Sequence, residues 1–158
     1  MCNVYVMGLE SSGTKWLGQL LQMTIGSSNV HHISLPRFEV GDGRYIHDPD
    51  KFGMRERAKI AICVRDVSCA VRSNVKYNGS MQEALDNASE VSDVLQAYLA
   101  DPRFNCKVFS YESAMYLKDG YVLPWIADFT GVVFPSWAYK PNYEDGNKKY
   151  LLPLDEGN

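Results

Sequence analysis

Apolar and polar positions along the chain alternate between short apolar runs and longer segments with helical spacing. The first apolar run, residues 3–7, is rich in β-branched and aromatic side chains and predicts a buried strand. From Gly13 onward the spacing is that of a helix with one apolar face, and Gly26 stands where such a helix ends. The chain is therefore predicted to open with a strand, a glycine-bearing loop and a helix.

A second strand-to-helix junction is predicted further along. Residues 59–64 are apolar almost throughout, which is typical of a parallel strand covered on both faces. A helix follows, and its predicted inward stripe consists of Val67, Ala70, Val71 and Val75. A shorter strand is predicted over 29–33, and the segment 35–54, rich in Gly, Pro and Asp, favours an irregular loop.

A longer amphipathic helix is predicted from about residue 80 to residue 100. Its predicted inward face consists of Met81, Leu85, Ala88, Val91, Leu95, Tyr98 and Leu99. A strand over 106–110 and a helix over 122–130 follow. Strands that alternate with helices predict an α/β three-layer sandwich with a mostly parallel central sheet of about four to five strands.

The chain is predicted to form one domain, residues 1–158, because its length supports one sizeable core and not two. The core is expected over about 3–133, with a loop-rich segment over 134–158. The net charge of −3 gives no overall attraction for nucleic acid or an anionic membrane, so any anion site has to be local. The four cysteines lack metal or redox spacing, no metal is expected, and no run resembles a signal peptide or a membrane span, which favours a cytoplasmic protein.

The loop after the first strand carries candidate phosphate-binding residues. Gly8 and Gly13 have the spacing of the Walker A loop, GxxxxGK followed by Ser or Thr, but Lys15 stands one position late. One residue on a helix is about 100° of rotation, so such a lysine would leave the β- and γ-phosphates of a nucleoside triphosphate. Arg65 also interrupts the apolar run before Asp66, where a kinase would hold magnesium. Both departures weaken the interpretation as a small P-loop kinase.

Two motifs point to a different phosphate ligand. The sequence GLESSGTKWL resembles the 5′-phosphosulfate loop of sulfotransferases, in which Gly-Thr follows a strand and a leucine closes the motif. The sequence ICVRDVSCAVRSN resembles that family's second signature, with Arg65 at a strand end and Ser73 eight residues later. Weaker similarities are Tyr111-Glu112 and the stretch 126–131, so the resemblance covers about residues 3–133.

This resemblance implies a P-loop-like sulfotransferase fold with 3′-phosphoadenosine 5′-phosphosulfate (PAPS) as sulfuryl donor and 3′,5′-bisphosphoadenosine (PAP) as product. The first loop would hold the 5′-phosphosulfate, while Arg65 and Ser73 would hold the 3′-phosphate. Lys148 and Lys149 are the only candidates for the family's C-terminal basic loop. The predicted donor-binding set is Ser11, Ser12, Gly13, Thr14, Lys15, Trp16, Arg65, Ser73, Lys148 and Lys149.

Sulfuryl transfer also needs a group that stabilises the leaving oxygen and a base for the acceptor. Lys15 is the predicted catalytic cation. His32 is the favoured base and His31 the second candidate, in a segment, HHISLP, that resembles the corresponding strand end of the family. Strand alternation sends these two side chains to opposite faces, so only one of them can enter a cleft. His47, in the long loop, is the least favoured histidine.

Two departures from the family leave alternatives open. Glu10-Ser11 stands where sulfotransferases have a basic residue, and the chain is short for that family. These features motivate a nucleotide-binding or regulatory protein that has lost catalysis. If the enzyme is active, the expected acceptor is a hydroxyl of a small molecule, glycan or lipid. Its pocket is expected along segment 35–54 and a tyrosine-rich tail that includes Trp137, Tyr139 and Tyr143.

Overall fold

The structure, a computed structural model, describes residues 3–36, 48, 58–134 and 141–151. These residues form a four-stranded parallel sheet with helices on both faces, which confirms the predicted α/β sandwich. The strands are β1 (Val4–Leu9), β2 (Val30–Leu35), β3 (Lys59–Val64) and β4 (Asn105–Ser110). The helices are α1 (Thr14–Ile25), α2 (Val67–Asn78), α3 (Met81–Ala100), α4 (Tyr111–Leu117), α5 (Asp119–Thr130) and α6 (Lys148–Leu151).

The strands lie in the order β2-β1-β3-β4, so β1 and β3 are neighbours at the centre of the sheet. Val4 of β1 stands between Val30 of β2 and Lys59 of β3. The chain leaves β1 toward α1 on one face and leaves β3 toward α2 and α3 on the other. Where consecutive connections diverge in this way, a crevice opens at the carboxyl edge of the sheet, and ligands of open α/β proteins bind there.

Two apolar layers hold the helices to the sheet. On the first face, α1, α4 and α5 pack over inward side chains such as Val6 and Phe109. On the second face, α3 packs over Met7 and Ile62, and its Tyr98 is fully buried. Burying a large apolar side chain stabilises a fold by roughly 1.5–3 kcal/mol, so these layers fix the carboxyl edge of the sheet in place.

Part of the predicted inward faces is wrong. Met81, Leu85 and Leu99 of α3 are nearly half exposed, and Val67 of α2 is 60% exposed. The buried stripe of α3 is narrower than its apolar residues suggest, and consists of Ala84, Ala88, Val91, Val94 and Tyr98. A helix on a flat sheet covers only one narrow face, and α2 contacts α3 from Val71 onward, one turn after Val67.

The element boundaries agree with the sequence pattern to within a few residues. Gly26 ends α1 and donates its N–H to the Gln22 carbonyl over 2.9 Å. The helix α4, which starts directly after β4 at Tyr111, was not predicted, and neither was the short helix at Lys148–Leu151.

Several predictions fall outside the described residues. They concern His47, Trp137, Tyr139 and nearly all of the predicted acceptor segment 35–54. Among the helices of the described ranges, none combines the length and the apolar character needed to cross a membrane.

Candidate functional site

The loops after β1 and β3 lie side by side at the carboxyl edge of the sheet. Because the two strands are adjacent and parallel, Cys63 of β3 reaches the first loop, and its Sγ donates to the Ser12 carbonyl over 2.9 Å. A cleft of about 690 Å³ opens at this junction. The predicted site residues that line it are Ser11, Gly13, Thr14, Lys15, Trp16, His32, Arg65 and Ser73.

Positive φ angles shape the first loop. Ser11 has φ 68° and Gly13 has φ 90°, and a Cβ atom at Gly13 would lie 2.7 Å from the Tyr111 ring, so only glycine suits that position. Gly13 is the N-cap of α1 and offers no side-chain cap. The first main-chain bond of the helix runs from Leu17 N–H to the Gly13 carbonyl, so the N–H groups of residues 14–16 have no partner inside the helix. An uncapped helix start of this kind attracts anions.

The side chains around the start of α1 differ in their exposure and in whether they line the cleft. Lys15 is exposed and lines the cleft. The Trp16 ring packs on Tyr143, with 5.9 Å between ring centroids, and its buried indole N–H has no hydrogen-bond partner. Ser12 is 1% exposed, does not line the cleft, and keeps its hydroxyl close to Gly8. The Ser12 hydroxyl is buried and has no hydrogen-bond partner among the described residues.

The two histidines of β2 lie on opposite faces of the sheet, as strand alternation requires. His32 lines the cleft, and its Nε2 lies 2.9 Å from Thr14 Oγ1 and 3.1 Å from Ser34 Oγ. The two hydroxyl oxygens are themselves 3.2 Å apart, so the three side chains form a closed hydrogen-bonded triangle. His31 stacks on Tyr5, with 5.0 Å between ring centroids, away from the cleft. Of these two histidines, only His32 is placed to act on a ligand there.

Arg65 has a polar and aromatic environment and forms no ion pair among the described residues. Its Nη1 donates to the Ser11 carbonyl over 2.5 Å, and its Nε donates to Asn147 Oδ1 over 2.5 Å. The guanidinium carbon lies 4.9 Å from the ring centroid of Tyr111 and 5.6 Å from that of Tyr150. Its Nη2 is buried without a hydrogen-bond partner. A guanidinium with unused donors suits an anionic ligand.

Ser73 joins the second motif to the first. Its hydroxyl donates to Ser11 Oγ over 3.1 Å and accepts a bond from the Tyr150 hydroxyl over 2.8 Å. In this arrangement the Ser73 hydroxyl is engaged by both neighbours, and Ser73 is only 7% exposed. Ser11 in turn donates to Asn74 Oδ1 over 3.1 Å. The two predicted phosphate motifs thus share one hydrogen-bonded network.

Residues 141–151, the C-terminal segment, border the cleft through side chains that the sequence did not single out. Lys148 is exposed and does not line the cleft, and the Lys149 side chain lies outside the described part of the structure. Tyr150 contacts Ser73 instead, and the Gly146 N–H donates to the Tyr111 hydroxyl over 2.9 Å. No periodicity marks the segment, so no sequence pattern predicts these contacts.

The charges in the cleft do not favour an anion on balance. Lys15 and Arg65 line it, but so do Glu10 and Glu144. The Glu10 backbone is held in place, because its N–H donates to the Leu35 carbonyl over 2.6 Å. Because Glu10 and Glu144 offset the two cations, attraction for an anion has to come from the helix start and Arg65.

Two titratable groups beside the cleft have structural roles. The Asp66 carboxylate caps α2, since it accepts from the Ser68 hydroxyl and from the Cys69 N–H, and these bonds hold the pKa of Asp66 below its ordinary value. Burial raises the pKa of the Cys63 thiol from 9.0 to about 12. The Asp66 carboxylate thus serves as the N-cap of α2. The Cys63 thiol stays protonated at neutral pH.

Fold and site together define a three-layer α/β protein with a cleft at the carboxyl ends of β1 and β3. Comparison of the chain with protein-family models, with curated proteins and with solved structures found no match. The function has to be argued from the cleft itself.

Proposed function

We propose that the protein is a sulfotransferase that moves a sulfuryl group from PAPS to a hydroxyl of a small molecule, glycan or lipid. One observation carries the proposal. The uncapped start of α1 and the Arg65–Ser73 motif border the same cleft and are linked by the Ser73–Ser11 bond. They resemble the two sulfotransferase motifs that hold different phosphates of the donor.

The side chains present suit such a ligand. The buried Nη2 of Arg65 lacks a partner, and the N–H groups at the start of α1 are not used inside the helix. Residues 13–15 would hold the 5′-phosphosulfate, and Arg65 with Ser73 would hold the 3′-phosphate. Glu10 and Glu144 oppose this binding, so the donor has to be recognised by directed hydrogen bonds more than by net charge.

The proposed reaction forms a bond from the acceptor oxygen to sulfur and breaks the bond from sulfur to the 5′-phosphate oxygen. Lys15 stabilises the negative charge that develops on that leaving oxygen. His32 takes the proton of the acceptor hydroxyl at Nε2, where Thr14 and Ser34 now supply neighbouring hydroxyls. His32 is the only histidine among the described residues that line the cleft.

Nucleotide-dependent melting tests the proposal directly. PAP at about 100 times its Kd should stabilise the fold by roughly 2.7 kcal/mol, and ATP with magnesium should stabilise it less at equal concentration. Transfer of labelled sulfate from PAPS to a panel of sugars, phenols and lipids should then reveal the acceptor class. Stabilisation by ATP with magnesium but not by PAP would overturn the proposal in favour of a kinase.

A second candidate is a protein that binds the nucleotide without catalysis. The two acidic side chains in the cleft favour it, because they oppose the charge that builds up during transfer. Stabilisation by PAP together with no labelled transfer to any acceptor class would support this candidate instead.

A further inference from the structure

The carboxamide of Asn147 lies between Arg65 and Glu112. Its Oδ1 accepts from Arg65 Nε over 2.5 Å, and its Nδ2 donates to Glu112 Oε1 over 2.8 Å. The same Glu112 oxygen accepts the Asp66 N–H over 2.9 Å. Arg65 and Glu112 therefore do not form an ion pair with each other. The neutral amide of Asn147 bridges them instead.

Only one orientation of the amide satisfies both neighbours. A guanidinium can only donate and an ionised carboxylate can only accept, so Oδ1 has to face Arg65 and Nδ2 has to face Glu112. Asn147 is 4% exposed, and its own N–H donates to Asp145 Oδ1 over 2.9 Å, which holds the residue in this position. Aspartate in its place would lack the donor and would set a second carboxylate against Glu112.

The consequence is that Arg65 keeps its charge without a counter-ion among the described residues. Its hydrogen-bond acceptors are the Ser11 carbonyl and the Asn147 amide, its ring contacts are two tyrosines, and its Nη2 has no partner. A charge that is partly removed from water interacts more strongly with a nearby ion than an exposed charge does. A direct ion pair between Arg65 and Glu112 would neutralise the guanidinium charge and weaken its attraction for an anionic ligand.

We propose that Asn147 is a positioning residue. It separates Arg65 from Glu112 and so leaves the Arg65 guanidinium available to pair with the anionic ligand. This inference rests on the proposed function, because it concerns the same phosphate site. It assigns the C-terminal segment a role in the site through the neutral amide of Asn147.

An exchange of side-chain charge tests the role. The double variant Glu112→Gln with Asn147→Asp keeps one carboxylate and one carboxamide, but sets the carboxylate against Arg65. It should melt near the wild-type temperature and bind PAP at least tenfold more weakly. The matched control, Glu112→Gln alone, retains the Oε1 acceptor and should bind PAP at least as tightly as the wild type. Equal PAP affinity for the wild type and a folded double variant would overturn the inference.

A rescue experiment covers the case in which the exchanged pair does not fold. Asn147→Ala removes the spacer and should weaken PAP binding, because Glu112 can then approach Arg65. Adding Glu112→Gln to Asn147→Ala should restore affinity to within a few-fold of wild type. A purely structural role predicts no rescue, and that result would overturn the inference.

Inorganic phosphate separates this inference from the proposed function. If the wild type binds phosphate at this site but not PAP, the sulfotransferase proposal fails, and the charge exchange should still abolish the phosphate-induced rise in melting temperature. If neither phosphate nor PAP stabilises the wild type, Arg65 does not bind an anion. The sulfotransferase proposal and the role given to Asn147 are then both wrong.

Discussion

Ser73 donates a hydrogen bond to Ser11, with 3.1 Å between the two hydroxyl oxygens, although 62 residues separate them in the chain. The bond ties the loop after β1 to the first turns of α2, which follows β3. It also places Ser73 between Ser11 and the Tyr150 hydroxyl of the C-terminal segment. A ligand phosphate at Arg65 would therefore meet a prearranged set of hydroxyl groups.

Removing the Ser73 hydroxyl should weaken recognition of the 3′-phosphate. A hydrogen bond to a charged group contributes about 1.5–3 kcal/mol, so Ser73→Ala should bind PAP roughly 10- to 100-fold more weakly. Binding of adenosine 5′-phosphate, which lacks the 3′-phosphate, should change little. Titration calorimetry with both nucleotides measures the ratio. Ser68→Ala, on the exposed start of the same helix, is the control, and an equal loss for both nucleotides would contradict the assignment.

Replacing Lys15 should impair transfer without unfolding the protein. Lys15 is exposed, so Lys15→Ala should change the free energy of unfolding by no more than about 0.5 kcal/mol. Its effect on kcat should be larger, since the lysine faces the leaving oxygen in the proposed reaction. Lys148→Ala is the matched control, because that lysine is exposed outside the cleft lining. Equal loss of activity in both variants would contradict the role given to Lys15.

The two histidines offer a test within one strand. His32→Gln should lower kcat by about 10²- to 10⁴-fold while leaving PAP affinity nearly unchanged, because a general base acts only in the chemical step. His31→Gln, on the opposite face beside Tyr5, should keep the wild-type rate. Steady-state rates with a hydroxyl acceptor, paired with PAP titrations, separate the two effects. A greater loss in His31→Gln would reverse the assignment.

Gly8 has no room for a side chain. A Cβ atom there would lie 2.5 Å from the Cys63 carbonyl oxygen, 2.5 Å from Ser12 Oγ and 2.8 Å from Thr14 Cγ2. We expect Gly8→Ala to lower the free energy of unfolding by about 2–4 kcal/mol, measured by urea denaturation. Gly18→Ala is the control in α1, since its Cβ would meet only His32 Cβ at an ordinary 3.6 Å. That control should stabilise the helix by about 0.5–1 kcal/mol.

Stability should fall at alkaline pH, and Cys63 should account for part of the fall. The unfolded thiol ionises near pH 9, whereas burial raises the pKa of folded Cys63 to about 12. Between these values the unfolded state binds fewer protons, so the free energy of unfolding decreases by up to about 1.4 kcal/mol per pH unit. Below pH 9 both states are protonated and no such loss occurs.

Cys63→Ser measures this contribution, because serine keeps a donor toward the Ser12 carbonyl but does not ionise in this range. Urea denaturation from pH 7 to pH 11 should show a shallower decline for the variant than for the wild type. Cys106→Ser should flatten the decline by a similar amount up to about pH 10 and by less above it, since the pKa of that partly buried thiol is raised only to about 11. Parallel curves for wild type and Cys63→Ser would contradict the expectation.

The α/β class could be predicted from the sequence because the strands and the longer helices each show a local pattern of apolar and polar residues. The run over 59–64 is apolar enough to be buried on both faces, and Gly26 stands where α1 ends. The opposite placement of His31 and His32 needed only the two-residue period of a strand.

Other features depended on what each element packs against. Met81, Leu85 and Leu99 are apolar but exposed, because the flat sheet accepts only one narrow stripe of α3. The hydroxyl of Ser73 is hydrogen-bonded to Ser11 and to Tyr150, which lie in distant parts of the chain.

By itself, then, the sequence determined the order of the four strands and the four longer helices, the glycine-bearing turn at Gly13 and the residue types at both strand ends, since these depend on neighbours within a few positions. Only the tertiary structure decided that Asn147 separates Arg65 from Glu112. That contact joins three segments with no local pattern in common, and a hydrogen bond between side chains leaves no period in the sequence that could reveal it.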